Sequence, residues 1–197
     1  LNPKSAVPYN NRGTAYVNNE DLVRAIADFD AAVRIDPKYP MPYYNRGCTL
    51  YRQGKFKESL PDLRKALSAG YTPGDYAYLM LLIASQKASR EDYEKAVQEF
   101  PGFVSAKSSS PLLRRIIVFY LHENVPEGMI LKEAHRGFGK EKRERMCEAY
   151  YYLGEHRLAR GDRKGAEEFL KTSIGTSAYT TAEYLNAKYM LKFMVNY

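Results

Sequence analysis

The chain has 197 residues, 45% of them hydrophobic, with 18 tyrosines and no tryptophan. That is material for one ordinary domain or a short solenoid, and no apolar run approaches the length of a membrane-spanning helix. The formal charge of +7 and isoelectric point near 9.2 suit acidic partners or anionic surfaces. Cys48 and Cys147 stand far apart, with no CxxC spacing and no histidine nearby, which excludes a disulfide framework and a zinc site.

The chain opens on Leu1-Asn2-Pro3-Lys4, and Asp36-Pro37-Lys38 has the same form one period later. Leu1 to Pro3 therefore read as the tail of a preceding unit, and the natural protein is expected to continue upstream. Pro8 suits the first turn of a helix, where its missing N–H costs nothing. Tyr9, Arg12, Gly13 and Tyr16 follow at helical spacing. Asn18-Asn19 should end this helix, since Asn tolerates the left-handed cap conformation. Asp21 is then placed to cap a second helix, with an apolar face of Leu22, Ala25, Ile26, Phe29, Ala32 and Val33. Asp36-Pro37 stops it. Gly13 and Ala25 are small where the two helices should cross.

A second copy starts at Tyr43. Tyr9 pairs with Tyr43, Asn11 with Asn45, Arg12 with Arg46, Gly13 with Gly47 and Ala32 with Ala66, always 34 residues apart. A fixed period of this kind marks a repeat array. Gly54 should make the turn of the second copy, and Pro61 should kink or shorten its second helix. Gly70-Tyr71-Thr72-Pro73 replaces a second Asp-Pro. Beyond it the pattern wears: Asp75 to Lys87 and Arg90 to Phe100 read as helices without the signature Gly. Pro101 to Pro111 reads as a polar loop. Leu112 to His122 and Pro126 to His135 read as two further helices, and Arg136 to Arg145 reads as a basic connection or helix start before a third clear copy. In that copy Tyr150, Leu153 and Gly154 precede a turn at Gly161-Asp162, then Ala166, Leu170 and Ser173. Tyr179 to Val195 reads as a terminal helix.

Tyr-x-x-x-Gly-x-x-Tyr, then Ala-x-x-x-Phe-x-x-Ala and a Pro, resembles the tetratricopeptide repeat, or TPR. The resemblance implies an all-α solenoid of helical hairpins, a right-handed superhelix with a C-terminal capping helix. One TPR-like domain is expected over 1–197. It divides into repeats at 6–39 and 40–73, a degenerate repeat at 74–101, a non-consensus hairpin at 111–136, a repeat at 147–175 and the cap at 179–195. In such a stack the first helices line a concave groove. That geometry places Val7, Asn10, Asn11, Thr14, Val17 and Asn18 of the first repeat there. From the second it adds Met41, Tyr44, Asn45, Cys48, Tyr51 and Arg52. Asn11 and Asn45 could hold the amides of an extended peptide. Tyr44 and Tyr51 could pack on its side chains, and Arg52 could pair with an acidic group. Equally, Asn11 and Asn45 could bond within the array and the two tyrosines could pack between helices. TPR domains that grip a C-terminal carboxylate use Lys and Asn in the first repeat and Lys and Arg in the third. Here those places hold Asn10, Thr14, Asp75 and Leu79, so only Asn45 fits that clamp.

No catalytic arrangement stands out. Gly137-Phe138-Gly139-Lys140 lacks the phosphate-loop spacing. His122, His135 and His156 are scattered and read as surface or boundary residues. The expectation is a non-enzymatic scaffold without cofactor or metal that binds a peptide or protein segment. Two other readings stand beside it: a cytoplasmic complex-assembly adaptor, and an anionic-polymer or nucleic-acid binder acting through 136–145. The polymer reading is weakened by Glu141, Glu144 and few aromatics for stacking. The order of units, with Ile117 to Leu121 and Glu148 to Asp162, also resembles the NlpI-like TPR lipoproteins of the bacterial cell envelope. That resemblance implies an envelope adaptor, in the periplasm and forming a homodimer, which brings peptidoglycan hydrolases and a protease together. The lipidated Cys of such proteins would lie upstream of Leu1.

Overall fold

The computed structural model describes residues 4–100, 110–122, 125–179 and 181–196. Most of the polar loop expected at Pro101 to Pro111, residues 101–109, lies outside them. Among the described residues there are eleven α-helices and no strand. The chain falls into two compact units, Leu1–Phe103 and Val104–Tyr197.

The first unit runs α1 (Ala6–Asn18), α2 (Leu22–Ile35), α3 (Pro40–Arg52), α4 (Phe56–Ser68), α5 (Gly74–Ala88) and α6 (Arg90–Glu99). Each helix packs on the next, and α1 also touches α3 as α3 touches α5. The two leading hairpins close in the same way. The N–H of Asp21 bonds the Tyr16 carbonyl and that of Glu20 bonds Val17; Lys55 and Gly54 repeat the pattern on Leu50 and Tyr51. This paired closure needs one left-handed residue after the helix. Gly54 supplies it at φ 74°, but in the first hairpin Glu20 does, at φ 60°. The expected left-handed cap at Asn18-Asn19 is therefore corrected. Asn19 keeps a negative φ of −89° and the turn falls one residue later.

A Cβ on Gly13 would stand 2.6 Å from Phe29 Cε1, and one on Gly47 2.9 Å from Leu63 Cγ. The second helix of each hairpin lays its large apolar side chain directly on the glycine of the first. Ala25, Phe29, Leu63 and Ala66 are fully buried as a result. The shortening expected from Pro61 does not occur, since α4 continues to Ser68. Pro61 itself faces solvent. It removes one backbone bond, while Leu60, Leu63 and Ala66 remain anchored on α3. Helix α5 is apolar all round, and Ala77 to Ser85 are all buried, as such a helix requires.

The second unit runs α7 (Pro111–His122), α8 (Glu127–Ala134), α9 (Gly139–Ala159), α10 (Arg163–Gly175) and α11 (Ala182–Asn196). Helix α9 is its axis and packs on all four others. Gly154 sits under Leu170, with Gly161 at φ 81° in the turn, so α9–α10 repeats the hairpin of the first unit. Tyr120 Oη donates to the Tyr152 carbonyl at 2.7 Å, and Tyr152 Oη donates to Glu183 at 3.0 Å, which ties α7, α9 and α11 together. His156, expected at a surface or boundary, is instead buried against Phe119 and Tyr120. Helix α11 covers α9 and α10 with Ala187, Met190 and Met194.

Candidate functional site

The expected groove positions lie on α1 and α3, whose seam is organised by one asparagine. Asn45 Nδ2 donates to Asn10 Oδ1 at 2.9 Å and reaches Thr14 Oγ1 at 3.4 Å. Thr14 in turn donates to the Asn10 carbonyl at 3.0 Å. This network needs Asn10 inside the stack, and Asn10 is only 3% exposed. Asn45 commits its amide hydrogens to these bonds, which leaves its Oδ1 as an acceptor. Asn11, Thr14 and Asn18 are exposed along α1, while Tyr44, Asn45, Cys48 and Arg52 are half-buried along α3.

Two of the expected ligand contacts differ in kind from the rest. Tyr51 is 2% exposed and packs on Phe56, with Lys87 Nζ over its ring at 5.4 Å. It is a core residue between helices. Tyr44 stacks on Tyr71 at 4.3 Å between centroids, so its ring is braced while the residue stays half-buried. Burial holds the Tyr71 phenol well above its ordinary value. The structure thus joins Asn45 to Asn10 and Thr14 at the α1–α3 seam, leaves Asn11 exposed on α1 and Tyr44 half-buried on α3, and buries Asn10 and Tyr51.

Beside the seam runs a set of ion pairs that a reading of residue types alone does not reveal. Arg12 forms two bonds to Asp28, both at 2.6 Å. Arg46 does the same with Asp62, at 2.7 and 2.6 Å, and its third nitrogen reaches back to Asp30 on α2 at 2.5 Å. The hydrogen bonds that Arg46 donates to Asp62, then the Asp62 charge, hold the Arg46 proton still more firmly. The signal is present in the sequence: Asp28 follows Arg12, and Asp62 follows Arg46, by the same 16 residues.

Among the described residues no three His, Cys, Asp or Glu side chains gather as a metal site. Burial pushes the Cys147 thiol up, and its sulfur sits 3.3 Å from the hydroxyls of Ser173 and Thr181. No helix is long and apolar enough to cross a membrane among the described residues.

The family described as TPR repeat matches residues 13–54, and that described as Tetratricopeptide repeat matches 44–111. The rat serine/threonine-protein phosphatase 5 is 30% identical over 97 residues, which is 49% of this chain and 19% of the phosphatase. The Lipoprotein NlpI homolog of Haemophilus influenzae is 25% identical over 194 residues, 97% of this chain and 60% of the lipoprotein. The chain therefore spans less than two thirds of either relative. Among solved structures, YrrB, a TPR protein with an unusual peptide-binding site, superimposes with a TM-score of 0.51 at 23% identity, covering 95% of this chain and 93% of its own. The hairpin glycines under Phe29, Leu63 and Leu170, the matched repeat families and the shared fold lead to one conclusion: this chain is a tetratricopeptide-repeat protein.

Proposed function

We propose that the chain is a non-catalytic scaffold that holds an extended peptide segment along the α1–α3 seam. The observation that carries this reading is the Asn45 network. It fixes one amide by two bonds inside the stack and keeps its oxygen as an acceptor at a partly exposed position. An acceptor held in place loses little freedom when a ligand amide docks on it. Asn11 and Asn18 add donors and acceptors along α1, Tyr44 offers a braced ring, and Arg52 supplies positive charge on α3. Asn10 and Tyr51 act behind this surface, as tether and core. YrrB and phosphatase 5 support the protein-interaction class through their shared repeats.

The likeness to the Haemophilus lipoprotein runs along 97% of the chain and supports a finer reading. In it the seam recruits a segment of another cell-envelope protein, so that this chain assembles its partners and does not transform them.

The test begins with peptides selected from a displayed library on the intact chain. Their affinity is then measured for the parent and for Asn11→Ala and Asn45→Ala variants, with circular dichroism to verify the fold. Loss of a docked hydrogen bond should weaken binding about tenfold per site. Peptides that bind every variant equally would move the working surface away from the seam.

A further inference from the structure

Among the described residues, the most exposed large apolar side chain is Phe138, at 92%. It occupies the turn between α8 and α9, between Gly137 at φ 79° and Gly139 at φ 62°. One left-handed residue on either side projects the ring outward. Phe138 is also the N-cap of α9 and makes no side-chain cap bond there. Asn, Asp, Ser or Thr would serve folding better at that place. The residue thus breaks two local rules, capping and burial, without any gain to the folded state, and such violations gather where a protein meets something else.

The turn is a braced structure. Arg145 donates to the Arg136 carbonyl across it and pairs with Glu141 at 2.7 Å. Its guanidinium lies 2.7 Å from where a Cβ of Gly137 would stand, so the brace itself requires glycine. Along the turn and the first turns of α9 the net charge is positive. Residues 136–145 carry Arg136, Lys140, Lys142, Arg143 and Arg145 against Glu141 and Glu144, a net of +3. Arg136 is partly neutralised by Glu133 at 2.8 Å and Lys140 by Glu144 at 3.5 Å. Lys132 and Arg143 are exposed, on α8 and α9.

We infer that this turn is a membrane-contact element: Phe138 enters the interfacial layer of an anionic bilayer while the surrounding lysines and arginines meet the lipid phosphates. A single projecting aromatic beside a stretch of net positive charge fits the boundary between headgroups and acyl chains. A single-stranded nucleic acid would call for several stacked aromatics along a groove, and the turn offers one. This inference is independent of the peptide seam, which belongs to the other compact unit.

The absence of tryptophan makes a clean test. Phe138→Trp places the sole indole of the whole chain at the proposed contact, and Val23→Trp, at a site 76% exposed on α2, serves as the reporter elsewhere. Each protein is titrated with vesicles of phosphatidylcholine alone or mixed with phosphatidylglycerol. The expected result is a blue shift of the indole emission of Phe138→Trp with the anionic vesicles only, and no shift for Val23→Trp. Cosedimentation of the parent chain should weaken about fivefold for Arg143→Gln, as about 1 kcal/mol per basic residue near the surface requires. For Phe138→Ser it should weaken about tenfold. No shift with anionic vesicles, an equal shift with neutral ones, or unchanged cosedimentation of Phe138→Ser would overturn the inference. Tighter binding of duplex DNA than of the vesicles, without need of Phe138, would overturn it in favour of a polymer.

Discussion

Glu20 does in the first hairpin what Gly54 and Gly161 do in theirs, and it does so at a steric cost. A residue with a Cβ loses on the order of 1–2 kcal/mol in the left-handed region, part of which glycine would return as unfolded-chain entropy. Glu20→Gly should therefore raise stability by about 0.5–1 kcal/mol, read as a higher melting temperature. Gly13 has the opposite constraint, because Phe29 occupies the space a side chain would need. Gly13→Leu should cost on the order of 1–3 kcal/mol through overpacking, and an unchanged melting temperature would show that the two helices do not cross there. Arg46 joins two aspartates where Arg12 joins one. Arg46→Ala should cost about 2 kcal/mol, since hydrogen bonds to charged partners are among the stronger ones, and Arg12→Ala should cost less. Equal losses in denaturant titrations would deny the bridge to Asp30 any energetic role.

At the scale of the helix, what can be read in advance depends on how much of the packing the sequence repeats. Helices α1 to α4 are legible because Tyr, Arg and Gly return at a fixed spacing, and their cap at Asp21 is the bond to the Arg24 N–H that such a residue makes. The site is less legible. Tyr44 and Tyr51 lie seven residues apart on α3, on one stripe, yet one is half-buried and the other is sealed by Phe56 and Lys87. Those partners come from α4 and α5, and single-helix periodicity carries no record of them. The burial of His156 escapes the sequence for the same reason, because its cover comes from α7. Helix α11 makes a sharper claim. A chain truncated before Tyr179 should expose the faces of α9 and α10 that Ala187, Met190 and Met194 cover. It should then associate, as sedimentation velocity would show; a monomeric, soluble truncation would remove the capping role. The same burial distinguishes the cysteines, and alkylation of the native chain should reach Cys48 well before Cys147.

Across the whole molecule, a tyrosine-rich interior sets an alkaline limit. Burial pushes Tyr78 from the ordinary value of 10.0 to about 12, and Tyr71 is raised as well. A phenol raised in the folded state contributes its full stability below about pH 10 and loses it as pH climbs toward its folded value. Melting temperature should therefore fall steeply between about pH 10 and pH 12, and Tyr78→Phe should make that decline shallower. The Arg46 bridge has a consequence of another sort. One guanidinium fastens the second helix of the leading hairpin and both helices of the next, so neither can open without surrendering a bond held in common. Stability in a linear array is a sum of local and nearest-neighbour terms, and this residue concentrates a neighbour term at a single junction. Amide protons of α1–α2 and α3–α4 should then exchange as one cooperative block, and Arg46→Ala should let the leading hairpin fray by itself while its neighbour stays protected.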